Sequence, residues 1–399
     1  MKKLSASNLI NKIIFLFIMI SIIISPENAY KSSLEGLNLW YNIVCPALFP
    51  FFVSLEILIK LGVINLIGIF FRPITEFLFN IPGEGAFAFI MSIASGYPVG
   101  AKVVANLRKE KICTKTECQR MISLCSTSGP LFIMGAVSVG LLKNPDIAPV
   151  LLISHYFSAL TVGLLMRFYK REKNNKKSFP GVHITKLFIK NNDIEPIGKV
   201  FVESIINSVN LILMIGGYII FFSVISGIIK QIGIIDVITS LTDLISCKSN
   251  LSDDVVSAFI IGILEVTNGV KECVLLNSPY MIKIALISFF IGFGGFSINA
   301  QVAGIVYDTD INFSLYLLIK FIQGVIASFY SILLFNLRHV SVFKTDSYQI
   351  IYKNLIRKSI LKLSFSLLLL VLAFFLASVL FAALYVNINK KNKLHKRLK

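Results

Sequence analysis

Apolar residues run along this chain in stretches of about 20, separated by short polar or basic segments. A hydrocarbon core of ~30 Å, crossed at ~1.5 Å per helical residue, requires runs of that length. Spans are expected near 9–25, 37–60, 62–79, 86–105, 119–142, 147–169, 201–229, 255–275, 284–306, 313–336 and 363–387, with 232–247 a weaker candidate. Several carry glycine or proline well inside. Re-entrant hairpins and half-helices are therefore expected among them, and the number of true crossings stays open. The fold class expected is an all-α polytopic membrane protein in two pseudo-repeated, inverted halves with broken or re-entrant helices.

The repeat is legible as aligned blocks. Phe51-Phe52 opens an apolar run that closes on Lys60 and Gly62, and Phe221-Phe222 opens one that closes on Lys230 and Gly233, about 170 positions on. The same shift carries Ala88-Phe89-Ile90-Met91 onto Ala258-Phe259-Ile260-Ile261, and Lys102 onto Lys271 with one residue dropped. Further along, Ile122-Ser123 falls on Ile287-Ser288, and Gly129 on Gly294. Such duplication in a hydrophobic chain with Gly/Pro-broken segments is the mark of a secondary transporter. Five regions follow: a membrane anchor (1–33), repeat 1 (34–142), a linking helix and basic loop (143–203), repeat 2 (204–306), and C-terminal helices with a basic tail (307–399). Five crossings per period invert the second copy. The same count puts the basic loop 338–362 outside, against the positive-inside rule, so that loop either lies flat on the membrane or shifts the count by one.

Composition agrees with a bilayer and excludes a soluble globule. Of 399 residues, 55% are hydrophobic and only 15% charged, against the ~25% usual in soluble domains. The net charge of +18 sits between and after the apolar runs: Arg108 to Arg120, Arg167 to Lys177, and Lys390 to Lys399. That placement suits cytoplasmic loops and headgroups rather than nucleic acid. The first apolar run, Ile13 to Ile24, has no small-residue cleavage site after it and reads as an uncleaved anchor. Six cysteines show no C-x-x-C spacing and no histidine at ligand spacing, so neither a metal, a cofactor nor a disulfide framework is expected.

Candidate chemistry lies in four broken segments, two per repeat. The first pair is Ser95-Gly96-Tyr97-Pro98 leading to Lys102, and Glu265 followed by Thr267-Asn268-Gly269 and Lys271. Breaking a helix inside the membrane frees backbone groups and exposes N-terminal amides, which attract anions. Lys102 and Lys271 close the two motifs and either help bind an anion or snorkel to headgroups. An acid within a span usually faces a partner or a pathway: Glu265 either binds a coupling cation or proton, pairs with Lys271 or only caps a half-helix, and a place on the path is favoured. The second pair is Ser126-Thr127-Ser128-Gly129-Pro130, and Gly294-Gly295 with Ser297, Asn299 and Gln301. Their hydroxyl and amide groups are able to replace water around a solute. His155 is read as a satisfied interior group. The runs 313–336 and 363–387 have no repeat partners and are assigned to scaffolding or homo-oligomer contact.

In Ser95 to Lys102, Ser126 to Pro130, Glu265 to Gly269 and Gly294 to Ser297, taken in that order, the chain resembles the sporulation integral membrane protein family YlbJ. The resemblance spans about 35 to 340. That family carries the nucleoside-recognition or gate domain, which is similar to parts of concentrative nucleoside transporters and ferrous-iron permeases. It implies a role in endospore formation: moving dipicolinic acid, a small aromatic dicarboxylate, across the outer forespore membrane.

The function expected is alternating-access transport of a small organic anion through the bilayer, with dipicolinate as the solute. A nucleoside or other small solute, and a non-transporting scaffold of spore assembly, stand as alternatives. No His/Asp or H-E-x-x-H constellation supports an enzyme. No residue identifies a coupling ion.

Overall fold

The computed structural model describes residues 6–61, 63–170, 196–245 and 253–340. Regular structure among them is entirely helical. Most of the basic loop 170–199, nearly all of the loop 338–362, the run 363–387 and the basic tail lie outside the described residues.

Helix α1 (Ala6–Ile24) is a short apolar helix with large side chains exposed along it, as lipid contact requires. Helix α2 (Pro26–Leu39) passes through a π-helical turn, Trp40–Val44, into α3 (Cys45–Lys60). Together they form one apolar rod, Pro26–Lys60, of 35 residues. The long helix of the second half, taken here as α9 (Ile197–Gln231), also has 35 residues. At ~1.5 Å per residue each is about 50 Å long, more than the hydrocarbon core needs. The two rods run antiparallel. Asn28 Nδ2 donates to the Gly227 carbonyl at 3.1 Å, Trp40 Nε1 to the Ile212 carbonyl at 3.0 Å, and Lys60 bonds Glu203.

After each rod the same sequence of elements follows. In the first half these are α4 (Val63–Phe79), α5 (Glu84–Ser95), α6 (Val99–Lys109), α7 (Lys115–Leu124) and a π-helical segment, Phe132–Leu141. Helix α8 (Ala148–Met166) links the halves. In the second half they are α10 (Ile234–Ile245), α11 (Asp253–Leu264), α12 (Val266–Leu275), α13 (Tyr280–Phe293) and α14 (Gly295–Val306). A last helix, α15 (Phe313–Val340), packs on α8 and α13.

Four expected spans are thus each two half-helices: 86–105 breaks at Gly96 to Pro98, 119–142 at Cys125 to Gly129, 255–275 at Glu265 and 284–306 at Gly294. The expected span 62–79 is corrected. It turns by 102° into the next helix and passes for a span only when joined to it. Arg72 and Glu76 pair within it at 2.9 Å. The weak candidate 232–247 is α10, whose 12 residues are too few to cross.

One charged clamp, at the end of α6, ties the first half to the loop before α15. Arg108 donates to both carboxylate oxygens of Asp310, at 2.6 and 2.8 Å, and Lys109 pairs with Asp308 at 3.2 Å. Gln119 and the backbone of Asn312 exchange two further bonds. The guanidinium hydrogen bond holds the Asp310 carboxyl below its ordinary value of 3.8. A lowered carboxyl stabilises the fold above its ordinary value and loses that contribution as pH falls through the lowered one. Unfolding midpoints in detergent should therefore show wild type ahead of Asp310→Asn by a constant, small margin above about pH 4 that shrinks as the pH drops further. A margin that grows on acidification contradicts the clamp.

Candidate functional site

The two breaks of each half touch each other. In the first half, Gly96 has φ +74°, and a Cβ added there would lie 2.6 Å from the Gly129 amide nitrogen. Only glycine permits both the left-handed backbone and that approach. The contact is held by Ser92, whose hydroxyl accepts from the Thr127 amide at 3.0 Å and shares a 2.7 Å bond with the Thr127 hydroxyl. In the second half the left-handed pair Gly294 (φ +85°) and Gly295 (φ +64°) makes the corresponding contact, with Gly295 against the Leu264 carbonyl and Glu265.

Both pairs then meet across one cavity of about 60 Å³, which has room for a few waters. From the first half come Ser95, Gly96 and Tyr97, then Ser128 and Gly129; from the second come Glu265 and Thr267, then Ser297 and Gln301. The remaining wall is largely apolar: Phe51 and Phe52 of α3, and Ile215 and Ile219 of α9. The repeated Phe pair of the first half therefore lines the site. Three buried polar atoms around the cavity have no partner among the described residues: Tyr97 Oη, Ser128 Oγ and Gln301 Oε1. Buried polar atoms left unpaired cost about 1–3 kcal/mol each, so these call for a water or a solute in the cavity.

Glu265 is committed to structure. Its carboxylate caps α12, accepting from the Asn268 amide at 2.7 Å and the Thr267 hydroxyl at 3.0 Å. A carboxylate at a helix N-terminus is stabilised by the free amides and the dipole there. The remaining expected residues fall just outside the lining. Asn268 bonds Ser223 of α9, and Gly269 crosses α11 at Gly262 with no space for a side chain. Asn299 donates to the Phe293 carbonyl at 3.2 Å and leaves its Oδ1 unpartnered among the described residues. Pro98 is buried ahead of α6, and Pro130 is half-buried after Gly129.

The two lysines lie away from the cavity. Lys102 is exposed on α6 and is not part of the lining. Lys271 faces a second, polar cleft of about 360 Å³, where it pairs with Glu35 of α2 at 2.5 Å while Lys230 pairs with Glu272 at 2.8 Å. The anion-binding charge expected of them is not at the cavity.

Charge and order come instead from helices read as bystanders. The break Ser126–Gly129 is gripped on every side. His155 Nε2 accepts from the Ser128 amide at 2.9 Å, and the Tyr156 hydroxyl donates to the Ser128 carbonyl at 2.9 Å. From α15, the Tyr316 hydroxyl bonds Ser126 Oγ at 2.8 Å, and Lys320 Nζ donates to the Ser126 carbonyl at 2.7 Å. The run 313–336 is thus part of the site. The signal was present in Lys320 and Gln323, an ionisable residue with an amide one turn on, inside an apolar span.

Comparison with known proteins decides the family. The sporulation integral membrane protein YlbJ of Bacillus subtilis (strain 168) is 34% identical over 354 residues, 86% of this chain and 85% of that protein. The chain belongs to the YlbJ family. The Gate domain, described as nucleoside recognition, matches residues 43–168, which hold both breaks of the first half. Solved structures of CNTnw overlap in part. Its inward-facing substrate-bound state is 14% identical over 78% of this chain and 86% of that one, with a TM-score of 0.47. A variant of it in its intermediate 1 state is 15% identical over 81% and 85%, with a TM-score of 0.45.

Within this YlbJ-family chain the grip on Ser128 is testable. His155→Ala leaves the Ser128 amide buried without its acceptor and should cost about 1–3 kcal/mol of stability. His155→Gln retains an acceptor and should cost clearly less. Unfolding midpoints in detergent compare the two, and equal losses contradict the assigned bond.

Proposed function

We propose that this chain is a sporulation membrane transporter that moves a small organic anion, dipicolinate, by alternating access across the outer forespore membrane. One observation carries the reading: four helix breaks, two from each half, converge on one cavity with unpartnered polar atoms. A scaffold has no use for such a cavity, since every break frees backbone groups that cost several kcal/mol each in lipid unless they are buried in protein or line a wet space. The antiparallel rods support an inverted arrangement of the halves, which makes two mirror-related access routes natural. The cavity is smaller than an aromatic dicarboxylate, so the state described is closed around it, and binding requires the halves to part.

The anionic reading rests on helix starts rather than on lysines. Helices α6 and α14 begin at the breaks, each presenting roughly half a positive charge at its N-terminus. Glu265 is already occupied by α12. The sporulation setting and the membrane are inferred from the name of the B. subtilis relative. A second reading, a neutral hydroxyl-rich solute such as a nucleoside, is favoured by one fact: Glu265 is the charged side chain of the lining among the described residues.

Uptake of labelled dipicolinate into proteoliposomes holding the purified protein tests the reading. Saturable uptake is expected, reduced at least tenfold by Ser128→Ala combined with Gln301→Ala and unchanged by Lys102→Ala. Uptake blocked by excess nucleoside, or absent with nucleoside uptake present, replaces the anion by the second reading.

A further inference from the structure

Lys320 is fully buried, and its nearest partners are neutral. Its Nζ donates to the Ser126 carbonyl at 2.7 Å and to Gln323 Oε1 at 2.8 Å, and lies 6.0 Å from the centre of the Tyr97 ring. No carboxylate pairs with it among the described residues. An ammonium sealed from water without a counter-ion is costly, and a structural role alone is served at lower cost by an uncharged side chain. A buried ionisable group in a membrane span is a functional-site candidate by default.

We propose that Lys320 is the binding site of the coupling proton, so that a proton and the solute move together. The inference rests on the transport reading above. The site is built to hold both states of the amine. As an ammonium, Nζ donates to the Ser126 carbonyl and to Gln323 Oε1. Losing one proton leaves a lone pair on Nζ and two N–H bonds. Gln323 Nε2 is buried and unpartnered among the described residues, and turning that amide over presents its N–H to the lone pair. The amine then keeps its bond to Ser126 with a weaker, uncharged donor. Ser126 begins the break that carries Ser128 into the cavity wall, so the proton and the shape of that wall are linked. An anion in the cavity favours the charged state, because opposite charges attract strongly where water is excluded. Proton and solute are therefore taken up together and released together. The proton's path to water runs by Tyr97 and Ser128, whose hydroxyls border the cavity unpartnered.

The other ionisable groups facing this site are few. They are His155 and Tyr156 on α8, Tyr97 at the first break, Cys125 at the end of α7 with Arg120 one turn earlier, and Tyr316 on α15 itself. Arg120 is held by the carbonyls of Asn80, Tyr169 and Lys170. Helix α14 has no ionisable residue, and α13 has only Tyr280 and Lys283, in its first turn. Glu265 stands on the opposite cavity wall.

Two measurements separate this proposal from the choice of solute. Proteoliposomes with an acidic exterior should accumulate dipicolinate severalfold over vesicles at equal pH, while a sodium gradient adds nothing. In Lys320→Arg and Lys320→Met the ratio of uptake with and without the pH gradient should fall to about one. Independently of any solute, the unfolding midpoint of wild type minus that of Lys320→Met should vary with pH, because sealing the amine in the fold changes how it exchanges its proton. Groups that do not sense the Lys320 charge are common to both proteins and cancel in that difference. Gradient-driven accumulation surviving in either variant, or a midpoint difference that does not change with pH, overturns the assignment. If wild type takes up no dipicolinate while the midpoint difference still varies with pH, the solute is wrong and the proton site stands.

Discussion

Backbone groups cannot be left unpaired in hydrocarbon, and this chain breaks four helices there. Everything around the cavity follows from how those breaks are satisfied. Two glycine contacts, Gly96 on Gly129 and Gly295 on Glu265, let paired breaks lean on each other. Side chains complete the pairing, with Ser92 serving Thr127, His155 and Tyr156 serving Ser128, and Lys320 serving Ser126. Glu265 serves the start of α12 in the same way. The backbone is held, and a small set of hydroxyl and amide atoms is left over. Those leftovers border the cavity.

The halves differ in how they meet the constraint. In the second half a carboxylate within the chain caps its own half-helix, so no outside helix is required. In the first half the longer break, Cys125 to Gly129, depends on α8 and α15, which lie outside the repeat. Opposite charges therefore flank the cavity: an acid at one wall, and an amine one layer behind the other. The long antiparallel rods α2–α3 and α9 supply the apolar side, with Phe51, Phe52, Ile215 and Ile219 facing the breaks. A charged clamp between Arg108 and Asp310 ties the first half to the loop before α15.

Much of this was legible in the sequence. Glycine and proline inside apolar runs located three of the four breaks, because those residues cannot continue a buried helix at no cost; the fourth lies at Glu265, and Gly269 continues α12. The repeat was visible in aligned Phe, Lys and Gly positions, and the element order of the two halves matches. Other features were hidden. Lys102 and Lys271 follow their breaks closely, yet a rotation of about 100° per residue decides which way a helical side chain points, and no local signal gives the facing. Arg72 and Glu76 argued against a crossing at 62–79, although the apolar residues around them outnumber the charges. Lys320 and His155 looked like isolated polar residues because their partners are backbone atoms almost 200 and about 30 positions away in the chain. Such pairings have no sequence pattern.

The central proposal is one solute site, formed by the four breaks and shared by both halves. An electron-microscopy structure of the protein in lipid nanodiscs, saturated with dipicolinate, tests it most directly. Solute density is expected between Ser128 and Tyr97 on one side and Thr267, Ser297 and Gln301 on the other, with all four helices broken. Density elsewhere, such as in the polar cleft at Lys271, or helices running unbroken through these positions, contradicts it.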